Sequence, residues 1–263
     1  MNTLSAPIPE VSISIVSHQQ AGMIGALLKD MEHFCKSCPL EVILTINTPE
    51  TLLFEEADFS FPLVVKVNPV QQGFSTNHNQ AFALSRGSFF CVMNPDIRLM
   101  VDPFPELRAC LADPLVGVVA PLVQGPDGCI EDSARRFPTP LRILRRVLGW
   151  RKDLDYPVRG RTIFPDWVGG MALLFPRAVF AKLGGFDSRY FLYYEDVDIC
   201  ARVRLLGHQV LQCPQVQVIH DAQRHSHRSF RYLRWHLRSM VRFFLSPVYW
   251  RVRWFKFSNS QAR

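Results

Sequence analysis

The chain has 263 residues, 48% of them hydrophobic and 20% charged, enough to bury a large core and within the range of a single α/β domain. No run approaches the roughly 18 apolar residues of a bilayer-spanning helix, and Met1 to Glu10 lacks a basic start followed by an apolar stretch, so a cytoplasmic protein is expected. The net charge of +7 is unevenly placed: no Asp or Glu follows Asp221, whereas ten Lys and Arg do, and the rest of the chain is slightly acidic.

Val11 to Ser17 (VSISIVS) reads as a β-branched strand, and Met23 to Phe34 follows with apolar residues at helical spacing. Seven cysteines, an odd number without a secretion signal, argue for reduced thiols. Cys35 and Cys38 form a lone C-x-x-C without the second pair that a zinc site wants, and are read as ordinary residues near a helix end. Glu41 to Ile46 and Leu63 to Val67 are the next strands, Asn77 to Ser85 a helix, Phe89 to Met93 a buried strand and Val116 to Ala120 another. Pro, Gly and charge dominate from Gly125 to Arg161, apart from a basic helical patch at Leu141 to Leu148, which marks an insertion or a long active-site loop. Regular pattern returns at Trp167 to Phe175 and Val179 to Leu183, then as a helix from Asp196 to Leu206 ended by Gly207, and as a last strand from Val210 to Ile219. Alternation at this spacing predicts a mostly parallel central sheet covered by helices.

Residues 1–222 are thus expected to form the catalytic domain and 223–263 a basic, aromatic-rich helical extension. One helix is expected over His225 to Phe257. Arg228, Arg231, Arg234, Arg238 and Arg242 lie along one side, with Leu233, Trp235, Leu237, Met240 and Phe244 as the apolar complement. Such a helix suits the interface of an anionic membrane, or it packs its apolar side on the domain and leaves the arginines solvated.

Three groups of residues can carry chemistry. Asn94-Pro95-Asp96 follows the strand FFCVM, where a carboxylate either ends a turn or holds a divalent cation on a diphosphate. Glu195-Asp196-Val197-Asp198 places three acids at a helix start, where they cap the helix or supply a general base. His220, with His225 and His227 close behind, ends the last strand as a surface residue or as a ligand of metal or phosphate.

In order, the chain carries N-P-D at 94–96, P-D-G-x-x-x-x-S-A-R-R-F-P at 126–138, D-W-V-G-G at 166–170, G-G-F-D-x-x-Y-F-L-Y-Y-E-D-V-D-x-C at 184–200 and V-I-H at 218–220. This series resembles the rhamnosyltransferase-type branch of glycosyltransferase family 2 from about Val11 to Ser229. The resemblance implies a Rossmann-like GT-A fold and an inverting, metal-dependent transfer of a sugar. Rhamnose from a deoxythymidine-diphosphate donor is the expected sugar, and a glycan or lipid-linked molecule the acceptor. It implies Mg or Mn on Asp96 and His220, with Asn94 in place of the first acid of D-x-D. It further implies Asp196 as base beside Glu195, acceptor contacts at Trp167, Gly169 and Gly170, and donor contacts at Gly73, Phe74 and Asn79, although Ala81 stands where glycine is common. Arg135 or Arg136 would neutralise the departing diphosphate. After the second strand Ile46 occupies the place of the family's base-facing aspartate, so Ser17, His18 or Asn47 must take over recognition of the nucleotide.

A nucleic-acid-binding protein, suggested by the tail, is the rival reading. The tail does not account for the acidic strand-end sites, and no nucleic-acid partner is expected. A non-catalytic sugar-nucleotide binder is the second alternative, kept by Asn94 and Ile46.

Overall fold

The computed structural model describes residues 8–150, 154–157, 160–221 and 230–261. Strands β1 (Val11–Ser17), β2 (Leu40–Ile46) and β3 (Leu63–Val67) pair in parallel, and β4 (Phe89–Met93) joins β1 in parallel on its other side. The chain therefore winds outward from β1 to β3 and returns to β4 across β1. At such a reversal the connections diverge and leave a crevice beyond the carboxyl ends of the two strands, the usual ligand position in open α/β sheets. Ser17 ends one strand and Asn94 follows the other.

Beyond β4 the sheet is mixed. Strand β9 (Ala172–Pro176) runs antiparallel to both β4 and β6 (Val116–Gln124), β10 (Gln209–His220) pairs in parallel with β6, and β5 (Ile97–Leu99) closes the edge antiparallel to β10. The buried run ALLF in β9 carries no sign of strand direction; the long excursion before it returns the chain from the opposite end of the sheet.

Both faces are covered. Helices α1 (Ala21–Phe34) and α3 (Phe104–Cys110) pack Ile24, Leu27, Leu28, Phe104 and Leu107 into one core with Ile13, Ile15 and Leu44. On the other face α2 (Phe74–Leu84), α5 (Arg177–Leu183) and α6 (Glu195–Leu205) enclose Phe90, Phe175, Phe180, Phe186 and Val203. Each buried phenylalanine contributes about 1.5–3 kcal/mol of burial free energy. Cys35 lies buried just after α1, where burial pushes its thiol pKa up, and all seven cysteines are unpaired.

The excursion holds two short strands, β7 (Ala134–Arg135) and β8 (Trp167–Val168), which pair Arg135 with Trp167 and so join the motif segments at 126–138 and 166–170. Between them α4 (Pro140–Val147) starts where the sequence specifies: Pro140 takes the first turn, and Thr139 Oγ1 accepts from Arg142 N at 3.1 Å.

The tail is two helices where one was expected. Helix α7 (Phe230–Leu245) stops before Pro247 and α8 (Pro247–Gln261) begins there, with Ser246 Oγ accepting from Tyr249 N at 3.2 Å. A proline cannot continue α7, but it suits the first turn of a new helix. Phe243, Tyr249 and Val252 are buried with Tyr190, Tyr194 and Val197 of the domain. Leu233 and Leu237, expected on the packed side, instead face outward, while Met240 and Phe244 pack inward. Among the described residues no helix is long and apolar enough to cross a membrane. His225 and His227 lie outside the described residues.

Candidate active site

Amides gather beyond the carboxyl ends of β2 and β3, beside β1. Asn47 is buried; its Oδ1 accepts from Gln72 N at 2.8 Å and Asn68 Nδ2 at 2.9 Å, and its Nδ2 donates to Gln72 O at 2.9 Å. Asn68 Nδ2 also donates to Asn77 Oδ1 at 2.7 Å, so the amide network fixes the loop between β3 and α2. Ser17 is buried and accepts from Gln20 N at 3.4 Å. His18 Nε2 lies 3.4 Å from Gln71 Nε2, and Gln71 Oε1 accepts from Arg231 at 2.9 Å. Burial, then the Arg231 charge, lower the His18 pKa and keep this imidazole neutral. Arg231 thereby ties the start of α7 to the loop between β3 and α2, a placement no local pattern announces, since 160 residues separate it from Gln71.

Gly73, Phe74 and Asn79 have contacts within the chain. A Cβ on Gly73 would meet Phe191 O at 2.7 Å, because Phe74 N donates to Phe191 O at 2.8 Å and draws the two backbones together. The Phe74 ring stands edge-on to Phe186 at 5.6 Å. Asn79 accepts from Phe186 N and donates to Phe186 O, both at 2.8 Å. The three residues clamp α2 to the segment that leads into α6.

At the end of β4, Asn94 N donates to Met171 O at 2.8 Å and Asp221 N to Asp96 O at 2.8 Å, tying the acidic turn to β9 and to the end of β10. His220 Nε2 lies 3.3 Å from Asp96 Oδ2, and its Nδ1 lies 2.9 Å from Glu131 Oε2. Burial lowers the His220 pKa, but Asp96 and Glu131 together reverse this and raise it to about 9. Asp96 Oδ1 is buried without a hydrogen-bond partner. A carboxylate oxygen left in that state is costly unless a cation completes it, so Asp96 fits a divalent ion, and His220 would join it on giving up the proton that it now shares with Asp96. No group of three or more His, Cys, Asp or Glu that could hold one converges among the described residues, so most of its shell would come from phosphate oxygens and water, as suits Mg or Mn on a nucleotide. Glu131 was not singled out from sequence. A lone acid 89 residues from its histidine gives no local signal.

The second cluster sits at the start of α6. Tyr193 and Tyr194 take left-handed backbone angles, φ 69° and 66°, just before Glu195. Such conformations cost roughly 1–3 kcal/mol each for residues other than glycine. They reverse the chain sharply and set the three acids in different surroundings. Asp198 is buried and paired with Arg202 at 2.7 Å, whose Nη1 donates to Leu183 O and Gly185 O at 2.8 Å, so this acid holds the fold. Glu195 is buried, with Oε2 lacking a partner; burial first, then the neighbouring Asp196, push its pKa well up. Asp196 is half-buried. Burial also raises its pKa, but Asp196 Oδ1 accepts from Val197 N at 2.8 Å, Oδ2 accepts from Gly170 N at 3.1 Å, and Arg135 adds positive charge, all favouring the anion. Both carboxyls are thus raised by burial, but only Asp196 has backbone donors from two neighbouring residues and an arginine charge that favour its anion, so the two environments differ.

Asp196 opens on a cleft of about 990 Å³ that also meets Glu131, Arg135, Trp167, Gly169 and Met171. Trp167 Nε1 donates to Arg136 O at 3.0 Å, and the Arg135 guanidinium lies 5.5 Å from the centre of the Trp167 ring. Gly169 N donates to Ser133 O at 2.8 Å. Glu131 and Met171 join the two clusters, since both line the cleft and both contact the turn at Asp96 or its histidine.

A carboxylate with an unpartnered oxygen at the switch point of a covered α/β sheet, and a second carboxylate on an adjoining cleft, thus stand on a backbone with the GT-A fold. The backbone agrees: GalNAc-T7, solved with UDP, GalNAc and Mn2+, superposes with a TM-score of 0.63 at 15% identity, covering 82% of this chain and 43% of that one. In sequence the chain is similar to named rhamnosyltransferases. It is 34% identical over 139 residues to the N-acetylglucosaminyl-diphospho-decaprenol L-rhamnosyltransferase of Mycobacterium tuberculosis, covering 49% of this chain and 45% of that protein. It is 27% identical over 253 residues to the rhamnosyltransferase WbbL of Escherichia coli K12, covering 89% and 92%. The match thus spans about half the length of the mycobacterial relatives. No family model matches the sequence.

Proposed function

We propose that this chain transfers a sugar, rhamnose in the first instance, from a nucleoside-diphosphate donor to a hydroxyl of a glycan or lipid-linked acceptor, with inversion at the anomeric carbon. The observation that carries the reading is the pairing of an orphaned Asp96 oxygen at the switch point with Asp196, held by two backbone N–H groups, on the neighbouring cleft. The donor base and ribose lie against Ser17, His18 and Asn47, and the diphosphate lies toward Asn94 and Asp96. Gly73, Phe74 and Asn79 support this half of the site through α2. The acceptor enters along Trp167, Gly169 and Gly170.

Asp196 takes the proton of the acceptor hydroxyl as its oxygen forms the new bond to the anomeric carbon. The bond from that carbon to the diphosphate oxygen breaks in the same step, and its electron pair leaves with the diphosphate. A base so placed contributes about 10² to 10⁴ in rate. Neutral Glu195 spares Asp196 a second full negative charge at its side. Arg135 holds the Asp196 anion and faces the departing charge. A divalent ion on Asp96 and His220 would supply charge stabilisation for the leaving diphosphate, and Glu131 would fix the His220 tautomer so that Nε2 faces the ion.

The relatives' names support the donor sugar and a polyprenyl-linked acceptor, and the Mn2+ of the structural neighbour supports the metal. The basic outer face of α7 beside the cleft supports a peripheral position on an anionic membrane. The test is a panel of nucleotide sugars, deoxythymidine-diphosphate rhamnose among them, incubated with the purified chain, Mn or Mg and a lipid-linked acceptor. Metal-stimulated transfer from one donor is expected. Donor binding without transfer or hydrolysis under any metal would make the chain a non-catalytic binder.

A further inference from the structure

Two helices beside the cleft expose apolar side chains that nothing in the described chain covers. Helix α4 buries no residue at all. Leu141, Leu144, Val147 and Leu148 recur at helical spacing along one arc, Val147 77% exposed, and Trp150 follows at 75%. Arg142, Arg145 and Arg146 occupy the adjoining arc. Helix α7 turns Ser239 and Phe243 inward and leaves Leu237, Val241 and Leu245 in an outward row, four residues apart, with Arg234 and Arg238 among them. A short helix with one apolar and one cationic arc and no buried face is poorly accounted for by packing within a domain.

The two helices flank the same opening. Leu141, Arg145 and Val147 line the cleft from one side, and Tyr232, Leu233 and His236 from the other. No acid occurs from Ser133 to Lys152 or after Asp221. We propose that α4 and the outward face of α7 form one lipid-binding rim that seats the mouth of the cleft on an anionic bilayer. The apolar rows enter the headgroup layer, Arg145, Arg234 and Arg238 reach back to the phosphates, and Trp150 takes the amphipathic boundary. A lipid-linked acceptor then rises between the two helices straight toward Asp196. The charge selects the occupant: Asp132 and Asp155 pair with Arg146 and Arg142, but Arg145 of α4 and Arg234 and Arg238 of α7 stand among the exposed apolar residues, and this excess of positive charge complements anionic headgroups. The inference rests on the reading of a lipid-linked acceptor and adds α4 as the second insertion element.

The test uses the full chain and phosphatidylcholine vesicles with or without phosphatidylglycerol, read by co-sedimentation. Removing the tail is unsuitable, because Phe243, Tyr249 and Val252 would leave the core with it. Wild type should bind the anionic vesicles, less so in salt, and should ignore pure phosphatidylcholine. Leu144→Glu with Leu148→Glu should cut the bound amount about tenfold or more, as should Leu237→Glu with Val241→Glu. Deoxythymidine-diphosphate rhamnose affinity in solution, measured on the same samples, should stay at the wild-type value. Arg145→Glu, a single surface change, should weaken binding to anionic vesicles even where a double variant fails to fold. Vesicle binding of the α4 variants equal to wild type overturns the proposal. So does a wild type that ignores vesicles and pairs with itself through this face, as shown by a dimer that the α4 variants dissociate. Loss of donor binding in wild type would overturn the transferase reading instead, whatever the vesicles show.

Discussion

Asp96 and Asp196 are the same residue type, each at the end of a regular element, and the proposed function gives them opposite tasks. Asp96 stands beside a histidine that is itself oriented by Glu131, with one oxygen left over. Asp196 has both oxygens engaged by backbone N–H groups, an arginine nearby and a neutral acid next door. In the proposed mechanism the first setting receives a cation, and the second favours the anion that takes a proton. What separates a ligand from a base is the set of groups around the carboxylate.

The comparison can be broken from the Asp96 side with the largest effect. Asp96→Asn should abolish metal-dependent donor binding, followed by calorimetry with and without Mn, while the thermal midpoint of the metal-free protein stays close to wild type because the residue lies at a strand end. Metal-stimulated turnover that survives the change would remove Asp96 from the site. Glu131→Gln should have a smaller effect, weakening metal affinity about 10- to 100-fold, the usual result of losing a carboxylate behind a histidine ligand. An unchanged metal titration would leave Glu131 as a surface contact only.

The smallest effect sharpens the Asp196 side. Its carboxyl is raised by burial and held down in part by Arg135. The base works only when ionised, so transfer should fall as the pH drops through this elevated pKa. Arg135→Gln removes a charge that favours the anion, so the acid limb of the kcat profile should move to higher pH. A limb that stays in place, or moves lower, would show that Arg135 does not act on Asp196.

Much of the fold was legible in the sequence, for reasons that differ by element. Val11–Ser17, Leu63–Val67 and Phe89–Met93 have the observed limits because β-branched and aromatic runs between turn residues leave little choice. β5 and α3 were missed, being a strand of 3 residues and a helix of 7, too short to show a period. The direction of β9 was not readable, since a buried run looks the same in both directions. The break at Ser246-Pro247 was signalled by the proline, but the arginine spacing masked it. In the site, motif order singled out Asp96, Asp196 and His220 as candidates, whereas Glu131 and Arg231 depend on partners 89 and 160 residues away and have no local pattern.

The most direct measurement compares Asp196→Asn with Glu195→Gln in one single-turnover transfer assay, with donor affinity determined on the same preparations. Asp196→Asn should lower transfer by about 10² to 10⁴ with donor affinity little changed, and Glu195→Gln, which replaces an acid already neutral, should lower it far less. A large loss in Glu195→Gln with transfer retained in Asp196→Asn would reverse the two roles and contradict the account.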